Sequence, residues 1–146
     1  MPAKYKLVLR KDMRKDAAEG SKLYYASANT TGTCDVYELC DLISAQSTAS
    51  SGDVKLILDE LVNVMRRNLG KGAVVKVGEL GSFQLQFGST GTVTEKEFNQ
   101  VLIKSRRIVF RPGKLLKEAV KNYTFEKIAS GAPDEGGGED DRPGEL

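Results

Sequence analysis

Histidine is missing from this chain of 146 residues. Its absence removes the commonest general base of enzyme sites and the imidazole that a metal centre ordinarily recruits. Cysteine is nearly missing too. Only Cys34 and Cys40 occur, six residues apart at the start of an expected helix, whose rise holds them beyond disulfide reach. Two thiols are also too few for a zinc site, so the pair reads as small, partly buried hydrophobes in a reducing compartment. No stretch approaches the ~20 apolar residues of a membrane span. Met1 to Lys15 is charged throughout, without the apolar centre of a signal peptide. Paired-carboxylate and phosphate-loop patterns are absent. These gaps argue against an enzyme, a metal or organic cofactor, a small-molecule substrate and a membrane partner. They point to a cytoplasmic protein.

What is present is charge, unevenly placed. The net charge is only +2. Residues 129–146 hold six acids and one base, net −5, which leaves +7 on residues 1–128. A basic body with an acidic tail points to a polyanionic partner. The hydrophobic content of 40% supports one domain of ordinary size with an adequate core.

The periodicities divide the chain. Lys4–Arg10 and Lys22–Ala28 read as strands joined by the polar loop Lys11–Ser21. A hairpin of two strands is marginal alone and must lean on something else. A first helix follows, with Thr33 as its expected cap and Val36, Leu39, Cys40 and Ile43 as an apolar stripe. After the polar break Ser47–Gly52, with Ser50 or Ser51 available as a cap, a second helix is expected from about Asp53 to Leu69. Val54, Ile57, Leu58, Leu61, Val62, Met65 and Leu69 give it helical spacing, and Gly70 and Gly72 end it.

Ala73–Val77 reads as a strand. In Ser82–Phe87, Phe83, Leu85 and Phe87 alternate with polar residues, the mark of a strand with one wet face. A flexible segment over 88–92 leads to a further strand, Val101–Phe110. Pro112 and Gly113 stop that strand before a third helix, Lys114–Asn122. A last strand over Tyr123–Ile128 is placed to pair with the N-terminal strands. From Ala129 on, Gly, Pro and acid predominate, and the segment is expected to be disordered. No internal repeat is visible.

Two blocks stand out: Gly78-Glu79-Leu80-Gly81-Ser82-Phe83 and, beginning 27 residues after Phe83, Phe110-Arg111-Pro112-Gly113-Lys114-Leu115-Leu116-Lys117. The first is a tight turn feeding a strand. The second is a strand ending in a basic helix N-terminus. With a two-stranded excursion between them, they suit a protein that grips a nucleic-acid backbone with a β-ribbon. In this order the elements resemble HU and integration host factor, the histone-like DNA-bending proteins, over roughly Cys34 to Asn122. The N-terminal extension is similar to that of an HU-related group from Bacteroides-type bacteria.

The resemblance implies an α+β fold: a helical hairpin, a three-stranded antiparallel sheet with an extended β-ribbon arm, and a C-terminal helix, with an extra N-terminal β-hairpin. It implies an intertwined homodimer, since one copy cannot cover the broad apolar face of the second helix. The division expected is 1–33 for the N-terminal hairpin extension, 34–128 for the HU-like DNA-binding domain and 129–146 for the acidic tail. The implied function is largely sequence-independent binding of double-stranded DNA, with a part in organising the bacterial nucleoid. The alternative is an HU-fold structural or protein-interaction module that has lost DNA bending.

Family members usually carry a Pro at the arm tip that wedges between base pairs, and no Pro lies between Gly88 and Phe110 here. The tip candidate is Thr94–Asn99, where Phe98 is a possible apolar wedge or packs on its own arm. Expected phosphate contacts are Lys114 and Lys117 at the start of the third helix, where backbone N–H groups favour an anion, with Arg111 beside them. On the arm they are Lys104, Arg106, Arg107 and, near the tip, Lys96. Alternation sends Arg106 and Arg107 to opposite faces, so only one shares a face with Lys104. Each of these cations also reads as an ordinary solvated charge.

Overall fold

The computed structural model describes residues 1–129. The acidic tail therefore lies, from Ser130 on, outside the described residues. The described residues fall into two compact units: Met1–Thr33 together with residues 121–129, and Cys34–Val120.

The N-terminal unit is a three-stranded sheet. β1 (Ala3–Lys11) pairs antiparallel with β2 (Lys22–Asn29), and β6 (Phe125–Lys127) adds to the other side of β1 in parallel. The last strand thus joins the first, tied further by an ion pair between Lys4 and Glu126. In the loop between β1 and β2, Asp12 is buried and accepts from the Arg14 guanidinium at 2.7 and 3.0 Å. Those bonds hold its carboxyl below the usual carboxylate range and satisfy a charge that would otherwise be costly to bury.

The second unit opens with α1 (Val36–Ala45) and α2 (Ser51–Gly70). The cap of α1 is Asp35 rather than Thr33. Its carboxylate accepts from the Glu38 N–H at 2.9 Å, which is the reach of a residue immediately before the first helical turn. Ser50 caps α2 in a reciprocal box: its hydroxyl accepts from the Asp53 N–H at 3.1 Å, and the Asp53 carboxylate accepts from the Ser50 N–H at 3.2 Å. The Ser50 hydroxyl and the Ser50 backbone N–H, both facing the Asp53 carboxyl, hold it below its ordinary value. Gly72, at φ 82°, turns the chain out of α2.

A sheet of β3 (Val75–Val77), β4 (Gly81–Ser89) and β5 (Ile103–Pro112) follows, antiparallel throughout, and then α3 (Lys114–Lys121). β5 begins two residues later than the periodicity predicts, because Gln100–Leu102 form a 3-10 turn. The Asn99 side chain caps that turn by accepting from the Val101 N–H at 3.2 Å.

Within this unit Val62, Met65 and Leu69 of α2 line an apolar groove with Phe83, Leu85 and Ile108 of the sheet. The Phe83 and Phe110 rings stack at 4.9 Å. Yet among the described residues only Cys40, Val54 and Leu69 are buried apolar side chains. Cys40 matches the expected buried thiol, while Cys34 is exposed. Leu56, Ile57 and Val62 of α2 remain 62%, 63% and 55% exposed. The apolar stripe of this helix is formed, with Val54 and Leu69 buried, Leu58, Leu61 and Met65 half-buried, and Ile57 and Val62 uncovered.

Candidate nucleic-acid interface

The two sequence blocks meet in space. Gly81 pairs with Pro112 and Ser82 with Arg111, and the Gly113 N–H donates to the Leu80 carbonyl at 3.1 Å. Gly81 adopts φ 139°, and a Cβ there would strike the Arg111 carbonyl oxygen and come within 2.7 Å of the Phe110 ring. A Cβ on Gly113 would strike the Glu79 carbonyl. Glycine at both places lets the turn before β4 press against the end of β5, which fixes where α3 begins. Lys114 and Lys117 then lie exposed on the first turns of α3, with Lys114 Nζ 4.0 Å from Glu118. They share a stripe with Glu118 and Lys121 at helical spacing, opposite Leu115, Leu116 and Val120.

The ribbon of β4 and β5 carries the other cations. Cross-strand partners share a face of a sheet. Phe83 pairs with Phe110 and Leu85 with Ile108 on the face turned to α2, while Ser82 pairs with Arg111, Gln84 with Val109 and Gln86 with Arg107 on the opposite face. A bulge then intervenes. Two steps on β4, from Gln86 to Gly88, match three on β5, from Arg107 to Lys104. The extra residue is accommodated with Ser105 at φ 55°.

The bulge decides which arginine accompanies Lys104. Plain alternation would put Lys104 with Arg106. The inserted residue puts Lys104 with Arg107 and Arg111 instead. Arg107 Nη2 donates to Gln86 Oε1 at 3.3 Å on this polar face, whereas Arg106 lines a cleft with Leu85, Phe87 and Ile103 on the apolar side. Lys76, which sequence reading passed over, joins the polar face because it pairs with Ser82 while Val75 and Val77 turn inward. Its signal was the single charge between two valines, usable only once the register was known. Lys76, Lys104, Arg107 and Arg111 are all exposed. No acidic residue shares their face among the described residues of β3, β4 and β5.

The ribbon's far end closes through two 3-10 turns, Glu95–Glu97 and Gln100–Leu102. Lys96 sits between two acids there. Phe98 is 42% exposed, its N–H donating to the Glu95 carbonyl at 3.1 Å, while Val93 and Val101 are 96% and 75% exposed. Lys96 and Phe98 are thus apart from the basic face, which gathers Lys104, Arg107 and Arg111.

A family model described as an HU domain fused to a winged helix-turn-helix, Ig or glycine-rich motif, HU-HIG, matches residues 1–127. The chain belongs to the HU-HIG family. The DNA-binding protein HU of Thermotoga maritima is 35% identical over 86 residues, which are 58% of this chain and 96% of that protein. A Bacteroides vulgatus structure, assigned as a candidate bacterial DNA-binding protein, superposes with a TM-score of 0.60 at 21% identity over 86% of this chain. This HU-HIG chain spans 48% of that longer protein, and the likeness is one of fold. A variant of the Thermotoga HU gives a TM-score of 0.41 at 30% identity, over 57% of this chain and 93% of its own. The mixed α+β architecture, with three helices and a ribbon-bearing sheet, is that of an HU-family protein. Among the described residues no helix is long and apolar enough to cross a membrane, and no cluster of acids and thiols is arranged to hold a metal.

Proposed function

We propose that this HU-family chain is a histone-like protein that binds double-stranded DNA through its phosphates, with little regard to sequence, and serves in the cytoplasm to organise the bacterial nucleoid. One observation carries the reading: Lys76, Lys104, Arg107 and Arg111 lie together on the polar face of the ribbon, interspersed with Ser82, Gln84 and Gln86 and unaccompanied by acid. Such a face offers cations and neutral donors to a phosphate backbone and no fixed pattern for base edges. Lys114 and Lys117, beside the free N–H groups of the first turn of α3, extend it. The HU relative is itself named a DNA-binding protein, and the family is architectural rather than enzymatic.

The active species in this proposal is a homodimer. The exposed faces of α1 and α2, with Leu39 41%, Leu56 62% and Ile57 63% exposed, leave a helical layer that a second copy would cover. Residues 34–128 act as the DNA-binding domain, residues 1–33 as an added hairpin and 129–146 as an acidic tail. Arg106 and Lys96 are secondary contacts. Phe98 is the wedge candidate, flanked by Val93 and Val101.

The tip favours a second reading. Glu95 and Glu97 flank Lys96, no Pro is present, and the chain coils into 3-10 turns. A tip of that kind fits an HU-fold interaction module that no longer bends DNA.

A salt series of gel shifts on linear and distorted duplexes separates the two. For DNA binding, affinity falls steeply with salt. Replacing Arg107 and Arg111 by Gln lowers the log–log slope by about 1 for each phosphate that is no longer neutralised. Absence of binding at low salt, or a slope indifferent to these changes and to Lys114→Glu with Lys117→Glu, refutes the reading.

A further inference from the structure

The sheet of the N-terminal unit divides its side chains unequally. Along β1, Lys4, Lys6, Val8 and Arg10 share one face, while Ala3, Tyr5, Leu7, Leu9 and Lys11 share the other. Register carries that second face onto the neighbouring strands. Leu7 is opposite Ala26, Leu9 opposite Tyr24 and Lys11 opposite Lys22 on β2. Ala3 is opposite Phe125 and Tyr5 opposite Lys127 on β6. Three aromatic rings, Tyr5, Tyr24 and Phe125, therefore share a face with aliphatic residues, and lysines stand at both ends. We propose that this face binds single-stranded DNA, stacking bases on the rings and pairing phosphates with the lysines.

Exposure supports a ligand here. Tyr24 is 70% and Phe125 69% exposed. Leu7 and Leu9 are exposed beside them, whereas Val8, Leu23 and Ser27 of the opposite face are half-buried. Open aromatic rings on a sheet are a platform on which bases stack whatever their sequence, each base worth about 5- to 100-fold in affinity.

Charge selects the partner. Glu126 is the only acid in β1, β2 and β6, and it lies on the other face, paired with Lys4. Lys11, Lys22 and Lys127 are exposed and form no ion pair among the described residues. A second copy of this face would bring the same three lysines and no acid to meet them. A single strand supplies flat apolar groups and negative charge together, while a duplex keeps its base faces stacked inside. Apart from the tyrosine hydroxyls the face has no neutral polar side chain to read a 2′-hydroxyl, which favours DNA over RNA.

The dimensions suit a few nucleotides. Tyr5 and Phe125 are diagonal neighbours, about 7–8 Å apart. Tyr24 lies four residues farther along, about 13 Å. The strip from Ala3 to Lys11 is about 26 Å long, enough for two or three stacked bases with phosphates at either end, as on other small sheets that bind single strands.

This site lies in a different unit from the ribbon and does not rest on the duplex-binding reading. Its test uses the full chain and a labelled oligothymidylate of about twelve nucleotides, a length in the range of single-strand sites on small β folds. Tyr24→Leu with Phe125→Leu keeps the face apolar but removes two rings. It should weaken oligothymidylate binding about tenfold or more and leave duplex binding within about twofold of the natural chain. Lys11→Gln, Lys22→Gln and Lys127→Gln together should lower the log–log salt slope for the oligonucleotide by about 2. Arg107→Gln with Arg111→Gln should do the reverse of the ring changes, weakening the duplex and sparing the oligonucleotide. In the natural chain the oligonucleotide should shift the amide signals of Leu7, Leu9 and Ala26.

Unchanged oligothymidylate affinity in both the ring and the lysine variants overturns the proposal. So does loss of the oligonucleotide in the Arg107 and Arg111 variant, which would place the single strand on the ribbon. Tighter binding of oligouridylate than of oligothymidylate overturns the assignment to DNA. If the ring changes instead split a larger assembly in sedimentation and leave oligonucleotide affinity intact, the face is an interface between copies and the proposal falls. A chain that binds no duplex but binds oligothymidylate through Tyr24 and Phe125 refutes the ribbon reading alone.

Discussion

Adding one methyl group at Gly81 should be among the most damaging small changes available to this chain. The backbone there sits at φ 139°, a conformation that costs an L-residue about 1–3 kcal/mol. The new Cβ would overlap the Arg111 carbonyl oxygen and lie 2.7 Å from the Phe110 ring and 3.0 Å from the Gly113 nitrogen. Two of those three obstacles are backbone and cannot rotate away. Relief requires β4 and β5 to separate at this end, which forfeits the 3.1 Å bond from the Gly113 N–H to Leu80, worth about 1 kcal/mol. It also disturbs the Phe83–Phe110 stacking at 4.9 Å, worth about 0.5–1.5 kcal/mol. Gly81→Ala should therefore destabilise by about 3–5 kcal/mol, at the far end of single-substitution effects. Gly88→Ala is the control, since a Cβ at Gly88 meets nothing within 4 Å. It should stay within about 0.5 kcal/mol of the natural protein. Urea unfolding followed by far-ultraviolet circular dichroism measures both, at one fixed protein concentration because association contributes to apparent stability. A Gly81→Ala protein within about 1 kcal/mol of the natural one would refute the account of how the two blocks are locked together.

Two further outcomes follow from the same geometry. Ser50→Ala breaks the box at the start of α2 and should cost about 1 kcal/mol at neutral pH. Because the Asp53 carboxyl is held below its ordinary value in the folded chain, its contribution is complete above about pH 4 and is lost as pH falls through the folded value. Acid titration of stability should accordingly be shallower in Ser50→Ala, and an unchanged acid limb would contradict the assignment. On the ribbon, Arg107→Gln should weaken duplex binding more than Arg106→Gln, measured by anisotropy at low salt, because only Arg107 shares the face of Lys104 and Arg111. Equal losses would show that the bulge does not sort the two arginines.

Much of the fold was legible because its signals are local. The stripe from Val54 to Leu69 marks α2 without reference to any other segment, and the alternation of Phe83, Leu85 and Phe87 marks β4. Ser50 was available as a cap by residue type alone. The candidate site was legible in its membership rather than its sorting. Lys104, Arg107 and Arg111 stood out as cations, but their common face depends on an extra residue in β5 at a positive φ on Ser105. A serine does not advertise that conformation as a glycine would. Lys76 was missed for a related reason, since its face is set by pairing with Ser82 across a turn. The cap at Asp35 and the late start of β5 were boundary effects, decided by single side-chain bonds of Asp35 and Asn99.

The parallel seating of β6 against β1 bears on how the chain is made. Lys4 and Glu126, 122 positions apart, end as neighbours. During synthesis β1 and β2 emerge first and can close locally, but two strands alone are marginal in water. Their third strand leaves the ribosome only after the helices, the ribbon and α3 have done so. Docking β6 then closes a loop of nearly the entire chain, a pairing of the kind that slows folding. The N-terminal hairpin consequently spends most of translation as an unfinished sheet, with the β1 edge that β6 will occupy still open to other strands.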